Sequence, residues 1–208
     1  MDWQEFLAIA LAHLFAVASP GPDFAIVTRQ TITGGTVTGL WTSFGVGSGI
    51  LLHVGYCLLG VALLLSQSAT LFNAVKWIAA CYLLYLGVQS MRRSFAAQPS
   101  FDTGAGSTPA LSPFKAFTTG FLTNGLNPKA TLFFLALFTV VINASTPLRI
   151  QLIYGAYLAV ATFAWFAMLS TLLGKSAVRG FMLRAGVWFE RAMGVILIAL
   201  ALQIAFNS

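Results

Sequence analysis

The sequence predicts an all-α integral membrane protein of six transmembrane helices, arranged as two inverted three-helix repeats with broken first and fourth helices. Three observations predict it. Mean hydropathy is +0.86 and only 8% of residues are charged, against about a quarter in soluble domains. The apolar residues fall into six runs, near 3–27, 37–66, 69–91, 114–142, 148–174 and 185–206. Each is near or above the roughly 20 residues that a span requires, and the runs are continuous, which excludes an alternating β-barrel. Two of the six are interrupted, and the interruptions fall at matching places.

The first run opens on MDWQEF, acidic where a cleavable leader would be basic, so it reads as a retained span. It is interrupted by SPGP at 19–22. Runs two and three read as continuous helices. Residues 94–113, SFAAQPSFDTGAGSTPALSP, are small, polar and proline-containing, and read as a linker. They divide the chain into a first repeat, 1–93, and a second, 114–208. The fourth run is interrupted by GLNP at 125–128. The fifth and sixth are again continuous.

Basic residues set the orientation. With the N-terminus outside, the inner segments carry Arg29, Arg92, Arg93, Lys115, Lys175, Arg179 and Arg184, and the outer segments carry Arg149. Lys76, Lys129 and Arg191 fall where spans are expected and do not enter the tally. The bias places both termini outside and the linker in the cytoplasm. It also accounts for the formal charge of +6 without a nucleic-acid partner, because the basic residues sit at segment ends and not on one polar face. Cys57 and Cys81 lie inside apolar runs with no CxxC, and read as small packing residues. No cofactor or metal is expected.

The breaks carry the functional reading. Three spans is an odd number, so consecutive three-span units face opposite ways. Pro22 and Pro128 are 106 residues apart, each in the first span of its unit, and each is followed at once by a charge, Asp23 or Lys129. Proline removes a backbone donor and crowds the preceding turn. An unsatisfied backbone group in hydrocarbon costs several kcal/mol, so a break is tolerable only where protein, water or a ligand meets it. Matching breaks point to a transporter whose site lies near the midplane. The half-helix after each proline offers free N–H groups to a carboxylate, and the carbonyls before it suit an ammonium. Asp23 would complement an α-ammonium and Lys129 an α-carboxylate. The alternative is that Asp23 and Lys129 pair with each other and hold the broken helices together. Asn124 and Asn127 are either further ligand contacts or local caps.

SPGPDFAIV (19–27), GLWTSFGVGSGILLHV (39–54), YLLYLGVQSMRR (82–93) and GFLTNGLNPKATLFFLALF (120–138) resemble the LysE/RhtB family of bacterial amino-acid exporters over nearly the full length. SPGPDF with LTNGLNPKA is most similar to the homoserine, threonine and homoserine-lactone branch. The resemblance implies export of amino acids or close derivatives across the inner membrane, driven by protons. It carries over Pro20, Gly21, Pro22 and Asp23, with Asn127, Pro128 and Lys129. One departure is GGTVTG (34–39), where relatives often have a basic residue.

Proton coupling requires a titrating group, and carboxylates are scarce. Asp23 is the first candidate and His53 the second; His53 and His13 otherwise read as hydrogen-bonded packing residues. Glu190, beside Arg191 and after Arg184, reads as an interfacial ion pair. Gly45 and Gly49 are spaced for close helix packing within the monomer, with a homodimer seam as the alternative. The expected partners are thus a small amino acid, protons and lipid. One three-helix unit is expected to rock against the other. A channel, or an exporter of another small solute, would use the same broken helices. Enzyme motifs such as HExxH and GxSxG are lacking.

Overall fold

A computed structural model describes residues 2–67, 69–95, 110–143, 145–173 and 176–206. Among them are seven α-helices, one π-helical turn and no strand. The helices are α1 (Trp3–Ala18), α2 (Pro22–Gln67), α3 (Ala69–Phe95), α4 (Pro113–Gly125), α5 (Pro128–Ala136), α6 (Leu148–Leu172) and α7 (Ser176–Phe206); the π turn, Leu137–Val141, prolongs α5. Most of the expected linker, 96–109, lies outside the described residues.

Both expected interruptions are real helix ends. α1 stops at Ala18, with the Ser19 amide closing on the Phe15 carbonyl at 3.1 Å. Pro22 then opens α2 and Pro128 opens α5, each at the first helical position, where a missing N–H costs nothing. The chain differs from expectation between the first two runs. Residues 28–36 were expected as a connection. They are helical apart from a kink at Gly35, so α2 runs on for 46 residues. Gly35 has φ +84°, open to glycine without steric penalty, and one such residue re-aims the helix. Beside the kink, the Thr38 hydroxyl donates to the Gly34 carbonyl at 2.7 Å.

Among the described residues, two stretches are long and apolar enough to cross a bilayer, Pro22–Gly60 and Leu148–Leu172. α1 and Pro128–Thr139 are apolar but shorter, because each is one piece of a broken run. Several polar side chains are buried beside the apolar core, and many large apolar ones are exposed. His13, Thr42, His53, Asn124, Thr162 and Ser170 are buried, while Leu7, Leu11 and Leu14 on one side of α1 are exposed, as are Leu152, Ile153 and Val160 on α6. Large apolar side chains exposed along whole helix faces suit lipid better than water.

Small residues set the packing. A side-chain carbon at Gly120 on α4 would lie 2.1 Å from the Thr42 carbonyl of α2, and one at Gly45 on α2 would lie 2.0 Å from the Phe117 carbonyl of α4. The two backbones therefore touch. Gly47 faces Ala159 and Phe163 of α6, and Gly49 faces Asn124. The glycine face is thus used for packing within the chain. α3 and α7 meet in the same way through Gly87 and Gly194, where a side-chain carbon added to either would lie 2.9 Å from the other's carbonyl.

Candidate functional site

The two breaks come together. Asp23, in the first turn of α2, accepts on Oδ2 from Asn124 Nδ2 at 3.0 Å and from Asn127 Nδ2 at 3.1 Å. Asn124 lies in the last turn of α4 and is 1% exposed; Asn127 is the N-cap of α5 and is 4% exposed. Asn127 has two tasks, since its Oδ1 also accepts from the Lys129 amide at 3.0 Å. The cap and ligand-contact readings of this residue are therefore joined in one side chain, whose amide nitrogen turns to Asp23 while its oxygen closes α5.

Lys129 does not form an ion pair with Asp23. Its Nζ donates to Ser19 Oγ, across the first break, at 2.9 Å. In this structure the two charges are not in direct contact: Asp23 Oδ2 takes both amides and Lys129 takes a hydroxyl. Lys129 also sits in the first turn of α5, where the helix dipole adds positive potential to a positive side chain. That placement disfavours the cation unless an anion is at hand. Asp23, at the equivalent place on α2, has the favourable sign.

A cleft opens between these groups. It is lined by Ser19, Gly21, Asp23, Asn124, Asn127 and Lys129, by His13 and Thr162 at another part of the wall, and by an apolar side of Phe24, Ile50, Phe133, Phe134, Phe166 and Met193. About 500 Å³ lies free of atoms between them, open mouth included. Two buried acceptors in this region, Asp23 Oδ1 and Asn124 Oδ1, have no hydrogen-bond partner. An unpaired buried acceptor costs about 1–3 kcal/mol, so a donor that reaches both relieves a standing penalty.

The other expected site residues fall around this centre. Pro22 and Pro128 do not line the cleft; they start the helices that present Asp23 and Lys129. Pro20 lines a smaller neighbouring cavity. His53 is fully buried and does not line the cleft. Its Nε2 lies 3.0 Å from the Asn124 carbonyl, its Nδ1 meets the Tyr56 hydroxyl, and its ring stacks on Phe134 with centroids 5.4 Å apart. It thereby positions Asn124. His13 lines the cleft and bonds Thr162 Oγ1 through Nε2 at 2.8 Å. Ser19 and Thr162 were not singled out from the sequence. Ser19 stood inside the motif, but only the fold shows that it receives Lys129; Thr162 lies in a continuous apolar run with no local signal.

Among the described residues Glu190 forms no ion pair with Arg191; the side chain of Arg184, the other expected partner, lies outside the described residues. Arg191 turns away, lying over the Phe95 and Trp188 rings at 4.7 and 5.0 Å, with Nε 3.4 Å from Ser94 Oγ. Glu190 instead points inward and is 7% exposed. Adjacent residues of a helix diverge by about 100°, so neighbours in sequence cannot share one contact easily.

Two broken helices meet at a polar centre among apolar helices, an arrangement suited to a membrane transporter. The chain belongs to the LysE type translocator family, whose model matches residues 14–208. It is similar to the threonine efflux protein of Escherichia coli K12, with 26% identity over 191 residues, 92% of each chain. It is 30% identical over 189 residues to the uncharacterized membrane protein YahN of the same strain, covering 91% of this chain and 83% of that one. Over a shorter stretch of 137 residues, 64% of this chain and 61% of the other, it is 32% identical to the leucine efflux protein of Salmonella choleraesuis. No solved structure matches. The family and the apolar helices make this a membrane protein related to bacterial amino-acid efflux proteins.

Proposed function

We propose that the protein is a secondary transporter that exports amino acids, threonine- or homoserine-like, from the cytoplasm by proton antiport with alternating access. The observation that carries this reading is the opposition of two unmet needs across one cleft. Asp23 Oδ1 and Asn124 Oδ1 lack a donor. Lys129, at the positive end of α5, uses a neutral hydroxyl where an anion would serve better. An α-ammonium answers the first need and an α-carboxylate the second. The apolar wall of Phe24, Phe133, Phe134 and Phe166 leaves a place for a small side chain. The names of the efflux relatives agree with this substrate class.

Antiport follows from the same carboxylate. A proton and a substrate ammonium compete for Asp23, so they exclude one another, and exclusion is what exchange across a membrane requires. His53 is the secondary coupling candidate, acting through Asn124. Two inverted repeats, 1–93 and 114–208, are supported by the pairing of equivalent elements: α2 packs on α6, α3 on α7, and break faces break. The distribution of Arg and Lys supports an inner-membrane protein with both termini in the periplasm.

The test is counterflow in proteoliposomes, using threonine, homoserine and a panel of other amino acids, with and without a pH gradient. Saturable exchange accelerated by the gradient is expected. Folded protein that exchanges no amino acid would overturn the reading in favour of a channel or another solute.

A further inference from the structure

Lys129 is a wall shared by two cavities. Beyond the substrate cleft lies a second, smaller one, lined by Ser19, Pro20, Ser90, Arg93, Lys129 and Glu190. About 300 Å³ lies free of atoms in it, open mouth included, against about 500 Å³ in the substrate cleft. Arg93, in the last turn of α3, is exposed and marks the end of the cavity nearer solvent. Glu190 is a carboxylate 7% exposed, and among the described residues no side chain donates a hydrogen bond to it; Ser90 Oγ bonds only its backbone carbonyl, at 2.9 Å. An ionised carboxylate so buried is costly unless a cation or a proton accompanies it.

The groups facing Glu190 can be named element by element. α3 presents Arg93, Ser90 and Gln89, the last donating to the Tyr85 hydroxyl, α5 presents Lys129, and the first break presents Ser19. On its own helix, Arg191 is engaged with Ser94, Phe95 and Trp188. The order through the protein is therefore carboxylate, ammonium, carboxylate: Asp23 in the substrate cleft, Lys129 between, Glu190 in the small cavity.

We propose that Glu190 is the proton-carrying group through which the substrate site exchanges protons with the α3 C-terminal face. The inference rests on the exporter reading above. A Glu190 carboxylate oxygen takes a proton from the Lys129 ammonium, and Lys129 is restored by the proton held on Asp23. One O–H bond forms, one breaks, and Lys129 ends as it began. No hydrogen bond joins Lys129 to either carboxylate in this structure, so water in the two cavities relays each transfer. Arg93, at the mouth, then favours return of Glu190 to the ionised form as the proton passes to water.

The experiment compares wild type, Glu190→Gln and Glu190→Asp in proteoliposomes with radiolabelled threonine, and with leucine as a second probe. Two readouts are taken: counterflow at equal pH on both sides, and net transport driven by an imposed pH gradient. Glu190→Gln is expected to retain counterflow, which moves no net proton, and to lose gradient-driven transport by about tenfold or more. Glu190→Asp keeps a titrating group and is expected to recover gradient driving with a displaced pH profile. A residue that merely supports the fold would depress both readouts together. Undiminished gradient driving in Glu190→Gln overturns the proposal and leaves the exporter reading standing. If Glu190→Gln fails to reach the membrane, an unshifted pH profile in Glu190→Asp overturns it. Absence of counterflow by wild type overturns the exporter reading, and the role of Glu190 with it.

Discussion

Replacing Asp23 by asparagine isolates its charge from its shape. The two amide donors that Asp23 receives, Asn124 Nδ2 at 3.0 Å and Asn127 Nδ2 at 3.1 Å, can still be accepted by an asparagine oxygen in the same place. The meeting of the breaks should therefore survive, and the variant should reach the membrane. What changes is the other oxygen, Oδ1, now an unpartnered acceptor. In the variant its place is taken by an NH₂ group, a donor that cannot accept from an ammonium. Loss of a hydrogen bond to a charged group costs about 1.5–3 kcal/mol. At 1.4 kcal/mol per factor of ten, half-saturation for an amino acid should rise about 10- to 100-fold. The variant also has no proton to exchange at this position, so gradient-driven export should cease. The assay is counterflow and gradient-driven transport at matched membrane levels. Unchanged half-saturation together with wild-type gradient driving would refute both roles assigned to Asp23.

Further outcomes follow from the same geometry. Lys129→Ala should weaken binding of carboxylate-bearing substrates and leave amine analogues without a carboxylate little affected, a contrast read from competition in the counterflow assay. Asn127→Ala removes the cap of α5 and one donor to Asp23; the cap alone is worth about 1 kcal/mol, so thermal stability in detergent should fall, and Asn127→Ser should recover part of the loss. Gly120→Val would set a carbon 2.1 Å from the Thr42 carbonyl and force α2 from α4, at about 1–3 kcal/mol or more; lowered membrane yield and melting temperature would be the readout.

The breaks were legible because proline and glycine act locally. SPGP and GLNP forbid a continuous helix whatever surrounds them, and the structure ends one helix and begins another at both. The charges after the prolines were legible as cleft residues for the same reason. What the sequence did not disclose was three-dimensional pairing. Nothing local says that Lys129 reaches Ser19 across 110 residues and leaves Asp23 to two asparagines. Nor does the string Glu190–Arg191 reveal that the helix turns one side chain inward and the other onto Phe95 and Trp188. Residues 28–36 fall in the gap between two apolar runs, yet they are helical, because one left-handed residue, Gly35, is enough to turn the chain. His13 and Thr162 meet over 149 positions, a contact set by packing and not by any periodicity.

The glycine crossings bear on how such a protein can move. α2 comes from the first half of the chain and α4 from the second, yet at Gly45 and Gly120 their main chains are in contact. Gly87 and Gly194 bind α3 to α7 in the same manner, again across the halves. Sliding or parting at such a seam is abrupt, because there is no layer of side chains to deform. A motion that separated the two halves would have to tear both seams at once. A motion that spares them carries α3 with α7 as one rigid piece and α2 with α4 and α6 as another. The hinge line then runs between these mixed pieces and not between the first and second halves of the chain.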